Sequence, residues 1–166
     1  MKLRGRLLGK LRRWSERVRK SRSPDQVIGG HERPYLLRWY VIPRNPVFNV
    51  YLHEFRRSDD DRALHDHPWF NASLILAGAY IEHTIRAGGV HVQTTRMDGD
   101  IAFRAPWSAH RIELYGPPGG GEFWCWTLFV TGPRMRAWGF HCPKGWVHWE
   151  RFTAPHDRGA IGRGCD

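Results

Sequence analysis

Between residues 35 and 152 the sequence alternates, roughly every ten residues, between strand-forming runs and turn-forming clusters. The runs are rich in β-branched and aromatic side chains, as in Tyr35-Leu36-Leu37-Arg38-Trp39-Tyr40-Val41-Ile42 and in Glu122-Phe123-Trp124-Cys125-Trp126-Thr127-Leu128-Phe129-Val130. Such residues suit a pleated, half-buried surface, whereas the intervening Gly, Pro, Asn and Asp favour turns. Strands are expected near 35–42, 47–55, 62–67, 71–77, 79–85, 90–96, 100–104, 109–115, 122–130, 136–141 and 147–152. The breaks fall at Pro43 to Pro46, Ser58 to Asp61, Gly88-Gly89, Asp98-Gly99 and Gly116 to Gly121. No stretch in this region keeps a helical period over three turns. About ten short strands at this spacing imply an all-β sandwich or barrel. Nine tryptophans supply large rings for its interior or for a pocket wall. The tail, 153–166, holds Gly, Pro and charge and is expected to be irregular.

The chain divides by charge. Its formal charge is +10, but residues 1–22 carry ten basic side chains against one acid, Glu16, so the rest is nearly neutral. The high pI describes this arm and says little about the folded body. Within it Leu3, Leu7, Leu11, Trp14 and Val18 recur at steps of three and four, predicting an amphipathic helix over 2–20. Its basic faces suit nucleic acid or an anionic membrane surface; equally, the apolar stripe suits packing on the barrel or on a second subunit. The expected organisation is a basic arm and linker over 1–24, a barrel over 25–152 and a tail over 153–166. Cys125, Cys142 and Cys165 are odd in number and lack zinc-ribbon or CxxC spacing. A disulfide framework is therefore not expected, and a reducing cytoplasm fits. No apolar run reaches the length of a membrane span or of a secretory signal core.

The sharpest local feature is Ala63-Leu64-His65-Asp66-His67-Pro68-Trp69. Histidines at i and i+2 on a strand share one face, so His65 and His67 can converge on one ion. His110, in Ala105-Pro106-Trp107-Ser108-Ala109-His110-Arg111, opens another strand-like run and supplies a third imidazole. Three neutral imidazoles suit Zn, Fe, Ni, Cu or Mn and leave positions open for water or substrate. Strand parity turns Asp66 away from these rings, toward a salt bridge or turn hydrogen bond. Asp59-Asp60-Asp61 lacks the ligand alternation of a calcium loop. His53, His83, His91, His141, His148 and His156 have no mutual spacing that demands a metal.

These residues resemble the two motifs of the cupin superfamily. His65, His67 and Gly78 match the first motif, and Gly99, Pro106 and His110 the second, although the proline-to-histidine spacing is one residue short and Ser108 replaces the usual glycine. The likeness covers 60–115 by motif and 35–152 by strand rhythm, and extends to bacterial and prophage cupin proteins that offer no activity to carry over. It implies a double-stranded β-helix, or jelly-roll (RmlC-like) barrel, preceded by the basic helix. It also implies one divalent metal ion on His65, His67 and His110, with Fe2+ favoured and Zn2+, Mn2+ or Ni2+ as alternatives. Asn71 stands where the family has a glutamate ligand, which makes the site similar to the three-histidine centre of the thiol dioxygenases. Glu82, sharing a strand face with Tyr80, is the rival fourth ligand or a general base.

Other chemistries lack their signatures: there is no GxSxG elbow and no Walker loop, and HxH in place of HxD/E argues against a 2-oxoglutarate oxygenase. The leading expectation is an Fe(II)-dependent, dioxygenase-type oxidoreductase acting on a small molecule in the barrel. Glu82, Tyr80 and Arg111 are the candidate catalytic residues. Arg104 and Arg111 are placed to hold a carboxylate, and Trp69 and Trp107 to wall the site. The alternative is a non-catalytic binding, sensor or assembly protein with a structural metal and a basic docking arm. A metal-independent isomerase or epimerase fits the clustered histidines less well. A homodimer is expected by resemblance alone.

Overall fold

Two antiparallel six-stranded sheets face one another, with a helix laid across the back of the first. The computed structural model describes residues 1–59, 63–117, 121–155 and 157–166, the side chains of 157–161 excepted. After helix α1 (Arg6–Ser21) come β1 (Gln26–Ile28), β2 (Leu36–Tyr40), β3 (Asn49–Phe55), β4 (Leu64–His65), β5 (Asn71–Ala77) and β6 (Ala79–Arg86). There follow β7 (Val90–Met97), β8 (Ile101–Arg104), β9 (His110–Leu114), β10 (Cys125–Thr131), β11 (Gly139–Cys142) and β12 (Gly145–His148). The chain ends with a helical turn α2 (Trp149–Phe152), β13 (Thr153–Ala154) and β14 (Asp157–Ile161). The sheets run β1-β2-β3-β10-β5-β8 and β12-β11-β4-β9-β6-β7. This is the expected jelly-roll barrel.

Period-two alternation sorts the side chains. On β10, Cys125, Thr127, Phe129 and Thr131 are buried, while Trp126 and Leu128 turn to the opposite face and pack under α1. Inside the barrel, Leu36, Phe55, Ile75, Tyr80, Ile112, Leu114 and Cys125 from both sheets form an apolar plug. Outside the first sheet, Leu8 of α1 packs with Trp39, Leu52 and Leu76. Burying a leucine this way is worth about 1.5–3 kcal/mol. Two motif glycines have steric reasons. At Gly78 (φ 88) a Cβ would lie 2.7 Å from the Trp124 carbonyl oxygen, and at Gly99 (φ 82) 2.1 Å from that of Leu3.

Several expectations shift. The arm is docked on the barrel, and its helix begins at Arg6 rather than residue 2. Residues 1–3 instead strap the β7–β8 turn, Leu3 N donating to Gly99 O at 2.7 Å and Ile101 N to Met1 O at 2.9 Å. The buried stripe therefore runs Leu8, Leu11, Ser15, Val18, and Leu7 is left 55% exposed. Arg12 fixes the helix by hydrogen bonds to Leu76 O and Asp98. The run 147–152 is strand only to His148, whose side chain accepts from Glu150 N and starts α2. The tail is a β13–β14 hairpin rather than irregular, and Cys165 is disulfide-bonded to Cys142. That bond contradicts the expected absence of pairing and withdraws the cysteine argument for a reducing compartment. β1 is too short, beside Gly29-Gly30, to show alternation in the sequence. No helix among the described residues is long and apolar enough to cross a membrane. Asp60 and Asp61, the start of the 62–67 strand, residues 118–120 of the glycine-rich loop and His156 lie outside the described residues.

Candidate metal centre

The three histidines arrive from β4, from the turn just after it, and from the first residue of β9. β4 and β9 are hydrogen-bonded neighbours with His65 directly opposite His110. β4 is two residues long, so the chain leaves the sheet at once and returns His67 to the same side. Ring centroids lie 5.1 Å apart for His65–His67, 4.7 Å for His65–His110 and 5.2 Å for His67–His110. His67 Nε2 and His110 Nε2 approach to 2.9 Å, and one donor atom from each ring falls within 4.8 Å of the others.

Asp66, between the two ligand candidates, does what parity predicts. Its fully buried carboxylate accepts from Gly139 N at 2.9 Å and from Arg136 Nη1, His141 Nε2 and Trp146 Nε1, each at 3.1 Å. It thereby pins β4 against β11 and β12.

The electrostatics keep lone pairs available. Burial first, then the neighbouring His65, His110, Arg104 and Arg38 charges, push His67 well below the usual imidazole range. Burial and Arg104 bring His110 down to about 4, against the neighbouring Glu82 carboxylate, which works the other way. Both rings are neutral at pH 7, the form that binds metal. Carboxylates stand behind two of the rings. Glu82 Oε1 lies 3.4 Å from His110 Nδ1, and Asp59 Oδ2 lies 3.7 Å from His65 Nδ1. Carboxylates behind metal-binding histidines orient the ring and raise its basicity. The donor set fits a divalent ion: nitrogens bound at ~2.1 Å in a tetrahedron sit about 3.4 Å apart, between the 2.9 Å of the His67–His110 pair and the 4.8 Å span of the triad, so shifts of about an ångström bring the three rings onto one ion.

Glu82 is buried, but it does not face the cluster as a fourth ligand. It is clasped by Arg104, whose Nε donates at 2.6 Å, and by Arg96, whose Nε donates at 2.8 Å. Burial alone would raise its pKa; the His110 hydrogen bond and the Arg104 and Arg96 charges overcome this and hold it well below the carboxylate range. Tyr80 is fully buried in the apolar plug, and its hydroxyl accepts from Arg104 Nη2 at 3.3 Å. Asn71 accepts from Arg104 Nη1 at 3.5 Å. Arg111 alternates with His110 along β9 and therefore faces out of the barrel, toward His83 at 3.2 Å and Glu113 at 3.4 Å. It is not among the cavity-lining residues, so parity removes it as a carboxylate holder there.

A cavity of about 410 Å3 opens beside the three rings. Trp69 lines it as expected, whereas Trp107 is 67% exposed on the outer surface. His53 lines it, stacked between Tyr51 at 5.8 Å and Phe129 at 5.1 Å. His83 bonds to His91 and Glu113, His141 to Asp66, and His148 caps α2. Two cavity residues escaped the reading of the sequence. Asp59 belongs to the acidic run before the HxH strand, a signal available but read only against calcium. Arg38 carried no signal, because an arginine inside a strand looks like a surface residue.

No protein-family model and no curated protein matches this chain. Solved structures do resemble it. A cupin superfamily protein from Desulfitobacterium hafniense is 12% identical over 68% of this chain and 83% of that one, with a TM-score of 0.45. A protein with a double-stranded β-helix domain from Klebsiella pneumoniae is 19% identical over 63% and 78%, with a TM-score of 0.46. The DMSP lyase DddQ from Ruegeria pomeroyi is 16% identical over 75% of this chain and 61% of that one, with a TM-score of 0.50. At such identities the likeness is one of fold. The chain has the cupin-type double-stranded β-helix fold, with a three-histidine cluster inside it.

Proposed function

We propose that the barrel holds one divalent metal ion on His65, His67 and His110, with Fe2+ favoured and Zn2+, Mn2+ or Ni2+ as alternatives. On that basis we read the protein as a dioxygenase-type oxidoreductase acting on a small molecule in the adjoining cavity. One observation carries the reading: three buried or half-buried imidazoles put donor atoms within 4.8 Å of one another at the wall of a cavity. A bound ferrous ion with open positions supplies one-electron chemistry toward O2. The chain's own part is to present His67 and His110 as neutral rings, to orient His110 from Glu82 and His65 from Asp59, and to surround the substrate with aromatic walls that exclude water. Arg104 and Arg96 keep Glu82 ionised and facing His110, and Tyr80 braces Arg104.

A second reading, a non-catalytic binding or sensor protein with a structural metal, is favoured by one feature. Glu82 and Tyr80, two of the candidate catalytic residues, are both committed to Arg104 and neither lines the cavity. The exposed basic side of α1 would then serve docking to nucleic acid or an anionic membrane.

Metal content decides the site. Protein purified without an affinity tag should carry close to one equivalent of a transition metal, and His65→Ala and His110→Ala should each reduce this to background while keeping the β-sheet circular dichroism. Wild-type-like metal in both variants would refute the centre. Oxygen uptake by ferrous-loaded protein against a panel of small acids and thiols separates the two readings: uptake supports the first, and a filled site without uptake supports the second.

A further inference from the structure

Arg38 is a half-buried cation facing the barrel interior, and among the described residues its hydrogen-bond partners are neutral. It sits in the middle of β2, on the inward strand face it shares with Leu36 of the apolar plug, and it lines the cavity. Its Nε donates to His53 Nε2 at 2.9 Å, and its Nη1 to Gln26 Oε1 at 3.2 Å. Its guanidinium carbon lies 4.8 Å from the centre of the Tyr51 ring. These are cross-strand neighbours held by register, Arg38 opposite Gln26 on one side and His53 on the other. His53 is itself neutral: burial, then Arg38, push it well below the usual imidazole range. Among the described residues no carboxylate lies within ion-pair distance of Arg38.

A guanidinium offers five N–H donors. Two are engaged by His53 and Gln26, which leaves three, including both on Nη2. A charge partly withdrawn from water without a counter-ion carries a cost, and a guanidinium's natural complement is a planar carboxylate accepting two parallel bonds. The surroundings favour the same sign. Arg38, Arg44, Arg57, Arg104 and Arg134 line the cavity against the carboxylate of Asp59, and among the described residues Arg104 is the one of the five paired with a carboxylate, that of Glu82. The walls between are apolar. Phe129 lies 5.1 Å from His53 and 6.0 Å from His67, so it links the guanidinium end of the cavity to the histidine cluster across about the width of one ring. A volume of about 410 Å3 suits a small organic molecule.

We propose that the cavity binds a small apolar monocarboxylate, its carboxylate on Arg38 and its body along Phe129 toward His65, His67 and His110. The planar fork of Arg38 and the apolar walls match a carboxylate on an apolar body better than inorganic phosphate, which has no apolar part to bury. The orientation rests on the metal-site reading above; the anion site does not require a metal.

The test uses full-length protein stripped of metal, so that no acid can bind through an ion. Acetate, butyrate and benzoate are titrated by calorimetry against acetamide, butyramide and benzamide, with inorganic phosphate alongside. At least one acid should bind about tenfold or more tightly than its own amide and than phosphate. Arg38→Met should remove that preference, and Lys10→Met, on the exposed side of α1, should keep it. The proposal is overturned if no acid exceeds its amide, if phosphate is preferred, or if Arg38→Met binds the acid as wild type does. Should Arg38→Met fail to fold, the acid–amide comparison in wild type decides. The two readings fail separately: protein that takes up no metal but needs Arg38 for the acid loses the metal centre alone. Protein that takes up metal but ignores the carboxylate loses the anion site alone.

Discussion

Asp66 is the residue whose replacement tests most directly how the ligand loop is held. All four groups around its buried carboxylate are donors: Gly139 N, Arg136 Nη1, His141 Nε2 and Trp146 Nε1. Asp66→Asn preserves shape and can keep Oδ1 as acceptor for Gly139. Its amide nitrogen must then face the other three donors. His141 can adopt the other tautomer and accept, but Arg136 and Trp146 cannot. Two hydrogen bonds to a charged acceptor are lost, at about 1.5–3 kcal/mol each. Arg136 is partly exposed, its side chain retaining 36% of its surface, so it recovers part of its loss in water. The expected cost is about 3 kcal/mol, or roughly two orders of magnitude in the folding constant. Urea denaturation should show a lower midpoint with an unchanged slope. Because Asp66 also pins β4, metal affinity should fall about tenfold. A variant within about 0.5 kcal/mol of wild type, binding metal equally well, would refute this account of the loop.

Thiol titration tests the cysteines: unreduced native protein should react slowly, denatured protein should expose one thiol, Cys125, and reduced denatured protein three. Burial pushes the Cys125 thiol up to about 12, so it stays protonated and unreactive at pH 8 in the folded state. The Cys142–Cys165 bond closes a separation of 23 residues, and its reduction should cost about 3 kcal/mol, read as a lower Tm. On α1, replacing the exposed Arg6, Lys10, Arg13 and Arg17 by glutamine should abolish salt-sensitive binding to DNA or anionic vesicles without changing Tm, because the opposite face carries the packing. Binding that survives would place the docking surface elsewhere. Deleting residues 1–22 outright should instead destabilise the barrel, since it uncovers Trp39, Leu52 and Leu76.

Much of the architecture was legible in local pattern. Strand rhythm located most strands of both sheets to within a few residues, because side-chain alternation is a property of the strand itself. The HxH spacing put His65 and His67 on one side for the same reason, and it turned Asp66 away. The two motif glycines marked positions where the backbone turns with positive φ and a Cβ would collide. Where the reading went astray, the deciding partner was distant in sequence. Leu8 took the place of Leu7 because residues 1–3 pair with the Gly99 turn, which sets where the helix begins. Cys165 meets Cys142 only because the tail folds back as a hairpin.

Sequence alone therefore determined which faces of each strand are apolar and which imidazoles could be offered together to an ion, since both follow from residue type and spacing at short range. Only the tertiary structure decided what each polar group confronts. Glu82 became a support behind His110 rather than a ligand because two arginines from other strands reach it, and Arg111 left the site because β9 gives its inward face to His110. Arg38 became a half-buried cation facing the cavity rather than a surface charge because β2 lies inside the first sheet, paired on both edges. The energy of a charge depends on the groups that surround it, and those are assembled by register and sheet order, which no local window of sequence contains.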